Sequence, residues 1–239
     1  MIPLKDDNPV RITPILTFGL ILINVAAFFY QLSLGPKQGQ LFLFQYGVIP
    51  ALLVGDTTLP PELAAIPPNL SLLTSMFLHG GWMHLIGNMW YLWIFGDNIE
   101  AAMGRMRFIA FYLICGLLAS FSHILTDPSS TIPTIGASGA ISGVLGAYLL
   151  LYPKARVLVL VPLGLFSRIM YIPAGFVLGF WFVIQLLSGS MSFGRQGGGV
   201  AFWAHIGGFV AGMLLVGLFK KRQVHFFNPP RRRSRAADW

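Results

Sequence analysis

"TIGASGAISG", residues 134–143, lies inside a stretch from Pro128 to Pro153 that contains no charged residue. Ser138 stands there among small residues and glycines. A serine flanked in this way either lets two helices pack closely or exposes a hydroxyl for chemistry. Gly139, Gly143 and Gly146 recur at spacings of four and three, which puts them on one helical face with Ser138 and Ser142 alongside. Small residues at such spacing let helix backbones approach each other in lipid.

The rest of the chain supplies the lipid. Of 239 residues, 55% are hydrophobic and 10% charged, and the mean hydropathy is +0.71. A soluble domain carries about 25% charged residues, so composition excludes a soluble globular protein. The charged residues leave long uncharged runs at 12–36, 63–96, 108–126, 128–153, 169–194 and 196–219. Each is long enough for the ~20 residues that cross a bilayer as helix. They predict an all-α polytopic membrane protein with six transmembrane helices near 12–33, 81–98, 106–126, 136–153, 172–189 and 200–219. A shorter uncharged run, 157–167, is expected to lie at the membrane interface.

Lys and Arg set the orientation, because they stay on the cytoplasmic side of short loops. With the amino terminus inside, only Lys37 and Arg195 of the 16 basic residues fall in outer loops. Both termini are therefore expected in the cytoplasm. The organisation reads as a cytoplasmic amino terminus (1–11), a six-helix membrane domain (12–219) and a basic cytoplasmic tail (220–239). The tail, "KKRQVHFFNPPRRRSRAADW", reads as an orientation signal touching anionic lipid rather than a nucleic-acid site. No cleavable signal is expected in "MIPLKDDNPVR", and Cys115, the single cysteine, reads as a small core residue. The first outer loop, 34–80, is apolar and broken by prolines, which predicts brief helices in the outer interface. The last, "SGSMSFGRQGGGV" (188–200), is rich in glycine and serine and reads as a flexible cover.

Strongly polar side chains inside a membrane are costly and mark function. The second predicted helix carries His84 and Asn88, with His79 just before it; the fourth carries Ser138 and Ser142, and the sixth carries His205. These three helices run from outside to inside, and their polar residues all fall in the outer halves, at one depth. His205, Gly208 and Gly212 share a face of the sixth helix. If that face meets the glycine face of the fourth, the Ser138 hydroxyl comes within hydrogen-bond reach of His205, as nucleophile and base must. His84 and Asn88, four apart, present two donors suited to a tetrahedral oxyanion. No acid is placed among these groups, since Asp97 and Glu100 sit near the inner end of the second helix. Any catalytic unit is thus a Ser–His dyad. His123 and Ser142 read as structural.

"GASGAISGVLGAY", "HGGWMHLIGNMWYLW" and "AHIGGFVAG" together resemble the rhomboid intramembrane serine proteases, over roughly residues 70–219. The resemblance implies Ser138 as nucleophile, His205 as general base, and His84 with Asn88 as oxyanion support. It implies membrane-anchored protein substrates, cut in or near their transmembrane segments, and a fifth helix that gates entry with the last loop. Some bacterial members carry an aromatic residue four positions after the nucleophile, stacked on the catalytic histidine; here Ser142 stands there. Some carry a Trp-Arg pair in the first loop; residues 38–81 contain neither.

No cofactor or metal is expected, there being no His-Glu-x-x-His. Expected partners are transmembrane substrates and membrane lipid, and the expected location is a bacterial plasma membrane. The alternative is a catalytically inactive rhomboid-like protein that binds transmembrane helices. A transporter is disfavoured by the bare inner halves of the fourth and sixth helices.

Overall fold

Uncharged runs in an apolar surrounding fold as helices because the backbone must then satisfy its own polar groups. The computed structural model describes every residue except 11, 56, 59, 61–62, 164–165, 193–198 and 229–239. The long helices are α1 (Ile15–Ser33), α5 (Trp82–Met103), α6 (Arg105–Thr126), α7 (Ser138–Leu151), α8 (Ala174–Ser192) and α9 (Phe202–Phe219). Each lies on one of the six predicted spans, although α5 runs five residues further toward its carboxyl end than expected. Between α1 and α5 come α2 (Gly35–Tyr46), α3 (Pro50–Leu53), α4 (Pro68–Thr74) and a 3-10 turn at Ser75–Phe77, in keeping with a loop broken by prolines.

By length and composition α1, α6, α8 and α9 can each cross a membrane, while α7 is a shorter apolar helix. Leu22, Met83, Leu125, Phe176, Leu214 and Leu218 are all strongly exposed. Such a broad apolar exterior is suited to lipid rather than water. The chain is a multi-pass integral membrane protein.

The bundle is organised around α7, which packs against α5, α6, α8 and α9. Its glycine face is what allows this. A Cβ on Gly208 would stand 2.0 Å from the Gly139 carbonyl oxygen, one on Gly212 2.0 Å from that of Gly143, and one on Gly146 2.1 Å from that of Phe209. The backbones of α7 and α9 therefore touch. On the α6 side Cys115 packs against Gly143 and is fully buried, as a small core residue should be.

Glu100 is fully buried in the last turns of α5. It accepts the backbone N–H groups of Leu16 (3.1 Å) and Thr17 (2.8 Å) and the Thr17 hydroxyl (2.8 Å). These N–H groups belong to the first turn of α1 and have no helical acceptor, so a carboxylate there both satisfies them and meets the positive end of the helix dipole.

The all-α expectation is corrected beside the carboxyl-terminal ends of α5 and α7. Residues Arg156–Leu163 (β2) and Phe166–Pro173 (β3) form an antiparallel hairpin, and Ile2–Asp6 (β1) pairs with β2, giving the order β1-β2-β3. The run 157–167, too short to span, supplies most of β2 and the start of β3. "RVLVLVPL" alternates valine and leucine: Val157 and Val159 are fully buried against the helices, while Leu158 and Leu160 lie on the opposite face. Period-two alternation of β-branched residues is a strand signal, but with both faces apolar it resembles any uncharged run. The carbonyl of Pro3 accepts the Trp90 indole N–H at 2.6 Å, and Asp6 accepts Asn98 Nδ2 at 3.0 Å. β1 therefore runs along α5, from its middle toward its carboxyl end.

Candidate active site

Ser138 is the first residue of α7, and the chain enters it through Gly136, whose φ of +123° is a conformation that L side chains rarely adopt. A Cβ at Gly136 would also stand 2.6 Å from Nε2 of His84. Glycine is needed there twice, for the turn and for the space beside the His84 ring. The Gly136 N–H is fixed by the Ser75 carbonyl at 2.9 Å.

His205 sits in the first turn of α9. The contact of α7 with α9 brings its Nε2 to 2.8 Å from Ser138 Oγ. The spacing argument for these two residues therefore gives the observed geometry. Ser142 donates its hydroxyl to the Ser138 carbonyl one turn back (2.7 Å), a local structural bond. His123 lies on α6 and contributes its carbonyl to Thr126.

The second hydrogen-bond partner of His205 comes from α8. Gln185 Oε1 lies 2.8 Å from His205 Nδ1, and the Gln185 side chain is buried. Trp181, one turn earlier on α8, places its indole 5.9 Å from the imidazole and tilted by 32°. An aromatic ring beside His205 is thus supplied by α8 and not by position 142. Sequence reading missed both residues. The signal for Gln185 was present, an amide in the middle of an apolar helix, but it belongs to no motif.

His84 and Asn88 lie one turn apart on α5 and have different neighbours. The His84 ring lies beside Gly136, next to Ser138. Asn88 Nδ2 donates to His79 Nε2 at 2.9 Å. His79 is fully buried, and its carbonyl accepts Gln31 Nε2 from α1. Burial, helped by neighbouring His84, pushes the His79 pKa down to about 3, so its imidazole is a neutral acceptor for the amide. One Asn88 N–H is thereby committed and the other is free.

A narrow cleft at Ser138 is lined by Ser75, Met76, Gly116, Gly136 and Ala204. A larger cavity of about 580 Å³ opens beside Gly80 and Ile135, walled by Gln31, Gly39 and Leu43. Among the described residues no group of three or more His, Cys, Asp or Glu is placed to hold a metal ion. The predicted flexible cover lies partly in α8, which continues to Ser192, and its residues 193–198 are outside the described residues. So are Arg231, Arg232, Arg233 and Arg235 of the basic tail.

A family model described as the Rhomboid domain matches residues 69–222. Rhomboid protease AarA of Providencia stuartii is 31% identical over 149 residues, which is 55% of this chain and 49% of that protein. Rhomboid protease GluP of Bacillus subtilis is 36% identical over 155 residues, 63% of this chain and 28% of that protein. Rhomboid protein 1, mitochondrial, of Saccharomyces cerevisiae is 28% identical over 204 residues, 83% of this chain and 51% of that protein. The chain spans about half or less of the length of these relatives.

Proposed function

This chain belongs to the rhomboid family, and from that premise we propose that it is an intramembrane serine endopeptidase acting through a Ser138–His205 dyad. The observation that carries the reading is the 2.8 Å contact between Ser138 Oγ and His205 Nε2, made by two helices whose glycines let their backbones touch. Its substrates are membrane-anchored proteins, cut in or near their transmembrane segments. The chain crosses the membrane six times, with α5 and α7 as the second and fourth spans and both termini inside. Its place is a bacterial plasma membrane.

In this mechanism the Ser138 hydroxyl gives its proton to His205 Nε2 as the oxygen attacks the substrate carbonyl. The negative charge that develops on the carbonyl oxygen is met by His84, by the free N–H of Asn88 and by the unpaired backbone N–H groups in the first turn of α7. The imidazolium then protonates the departing amine. A water molecule, deprotonated by the same nitrogen, releases the acyl group from Ser138.

A fluorophosphonate probe applied to the purified protein in detergent tests the reading. Wild type is labelled, and neither Ser138→Ala nor His205→Ala is. Cleavage of a labelled transmembrane substrate disappears in the same variants. A wild-type protein that neither labels nor cleaves favours the alternative, an inactive family member that binds transmembrane helices.

A further inference from the structure

We propose that Gln185 is the positioning residue of the base, holding His205 in the one neutral tautomer that can accept the Ser138 proton. This rests on the dyad reading above. Nε2 of His205 faces the Ser138 hydroxyl and must carry no proton to receive one. The single proton of the neutral ring is then on Nδ1. That nitrogen points at Gln185, 2.8 Å away, and only the amide oxygen can accept from it. The observed orientation, with Oε1 toward the ring, is the one this logic requires.

The rest of the surroundings narrow the role to this side chain. None of α7, α8 or α9 carries an aspartate or glutamate, so no carboxylate on these helices takes the place that the third residue of a Ser-His-Asp triad holds. A neutral amide costs less than a carboxylate to bury among apolar helices. It still fixes the tautomer and the ring plane, and it keeps its hydrogen bond when the ring takes up the second proton. Gln185 lies on the inward stripe of α8 with Leu178 and Gly189, spaced seven and four apart, all buried. Gly189 lets α9 come close, since a Cβ there would meet Ile206 Cδ1 at 3.3 Å and Phe202 Cβ at 3.4 Å. Trp181 covers the ring from the same helix. The base is thus carried by α9 but aimed by α8.

The test uses the full chain in detergent and the rate of fluorophosphonate labelling as a function of probe concentration. Gln185→Leu and Gln185→Met remove the acceptor at nearly constant volume. Both are expected to lower the saturating labelling rate about 10–100-fold, short of the ~10⁴ lost when a triad histidine is held in the wrong tautomer. The half-saturating probe concentration and the melting temperature should stay near those of the parent. Gln185→Glu, which again accepts from Nδ1, should recover most of the lost rate. Parental labelling in either apolar variant overturns the inference and leaves the dyad standing. So does a Gln185→Glu protein as slow as Gln185→Leu, because a packing role would explain that result. Labelling that survives in Ser138→Ala or His205→Ala removes the dyad, and this inference with it.

Discussion

At the scale of single residues the site combines groups with different tolerances. In the proposed mechanism Ser138 and His205 contribute reacting atoms, whereas Asn88 is engaged only as charge develops. Asn88→Ala should therefore lower kcat more than it changes KM. Loss of one oxyanion donor costs roughly 10²–10³ in a soluble protease, and a smaller loss is expected here because His84 and the α7 N–H groups remain. Steady-state kinetics on a labelled transmembrane substrate measure the split, and a change confined to KM would remove Asn88 from the oxyanion role. The Asn88 bond to His79 adds a second consequence. His79→Leu removes the acceptor that steadies the amide, so its kcat should fall in the same direction while Ser138 remains present and exposed to probe. The pairing of Ser138 with His205 was legible in the sequence because glycines at helical spacing announce which faces meet. Gln185 was not, because one amide in "FWFVIQLLSG" carries no periodicity, and its partner is known only once α8 is packed on α9.

At the scale of elements, the contact of α7 with α9 is set by backbone rather than by side chains. Gly208→Val would drive a side chain into the Gly139 carbonyl oxygen, 2.0 Å from where its Cβ must lie. The helices would have to separate, at a cost of about 1–3 kcal/mol for overpacking, and the Ser138–His205 distance would grow with them. Activity should be lost and the melting temperature lowered. Gly217 sits near the carboxyl end of the same helix, and a Cβ there meets only the Phe226 ring edge at 3.5 Å. Gly217→Val should keep most of its activity. A fully active Gly208→Val protein beside a dead Gly217→Val protein would contradict this account of the interface. Helix positions were readable from the charge-free runs to within a few residues. The extension of α5 to Met103 was not, since Asp97 and Glu100 read as the end of a span. Glu100 is instead kept inside by the α1 N–H groups that it satisfies.

At the scale of the whole molecule, the sheet joins parts of the chain that the sequence leaves unconnected. Its alternating valines and leucines were hidden because neither face is polar. Asp6 is the point of junction: its carboxylate accepts the Tyr148 hydroxyl at 2.5 Å from α7 and Asn98 from α5. Burial raises its pKa to about 7, with Asp97 and Asp7 adding to the effect against the opposing Tyr148 hydrogen bond. A carboxyl whose folded pKa lies above its unfolded value of 3.8 binds more protons when folded. Its contribution to stability is complete below pH 3.8 and is lost as pH rises toward and through 7. Asp6→Asn mimics the protonated acid at every pH. The variant should melt like the parent near pH 4 and progressively above it from pH 5 to 8, as thermal scans in detergent would record. A difference that is flat with pH, or that shrinks as pH rises, would refute the assignment.

The pairing of β1 with β2 also has a consequence in time. Asp6 stands opposite Val157, so during synthesis β1 finds its neighbour only after roughly 150 further residues, about 10–30 s at ordinary rates. During that interval α1, α5, α6 and α7 are all made while Ile2–Asp6 stays unpaired. Closure of the sheet thus marks the moment at which α7 has been completed and the hairpin after it has turned back. A fusion partner joined ahead of Ile2 would be tolerated by the finished protein only if its linker left this late pairing free to occur.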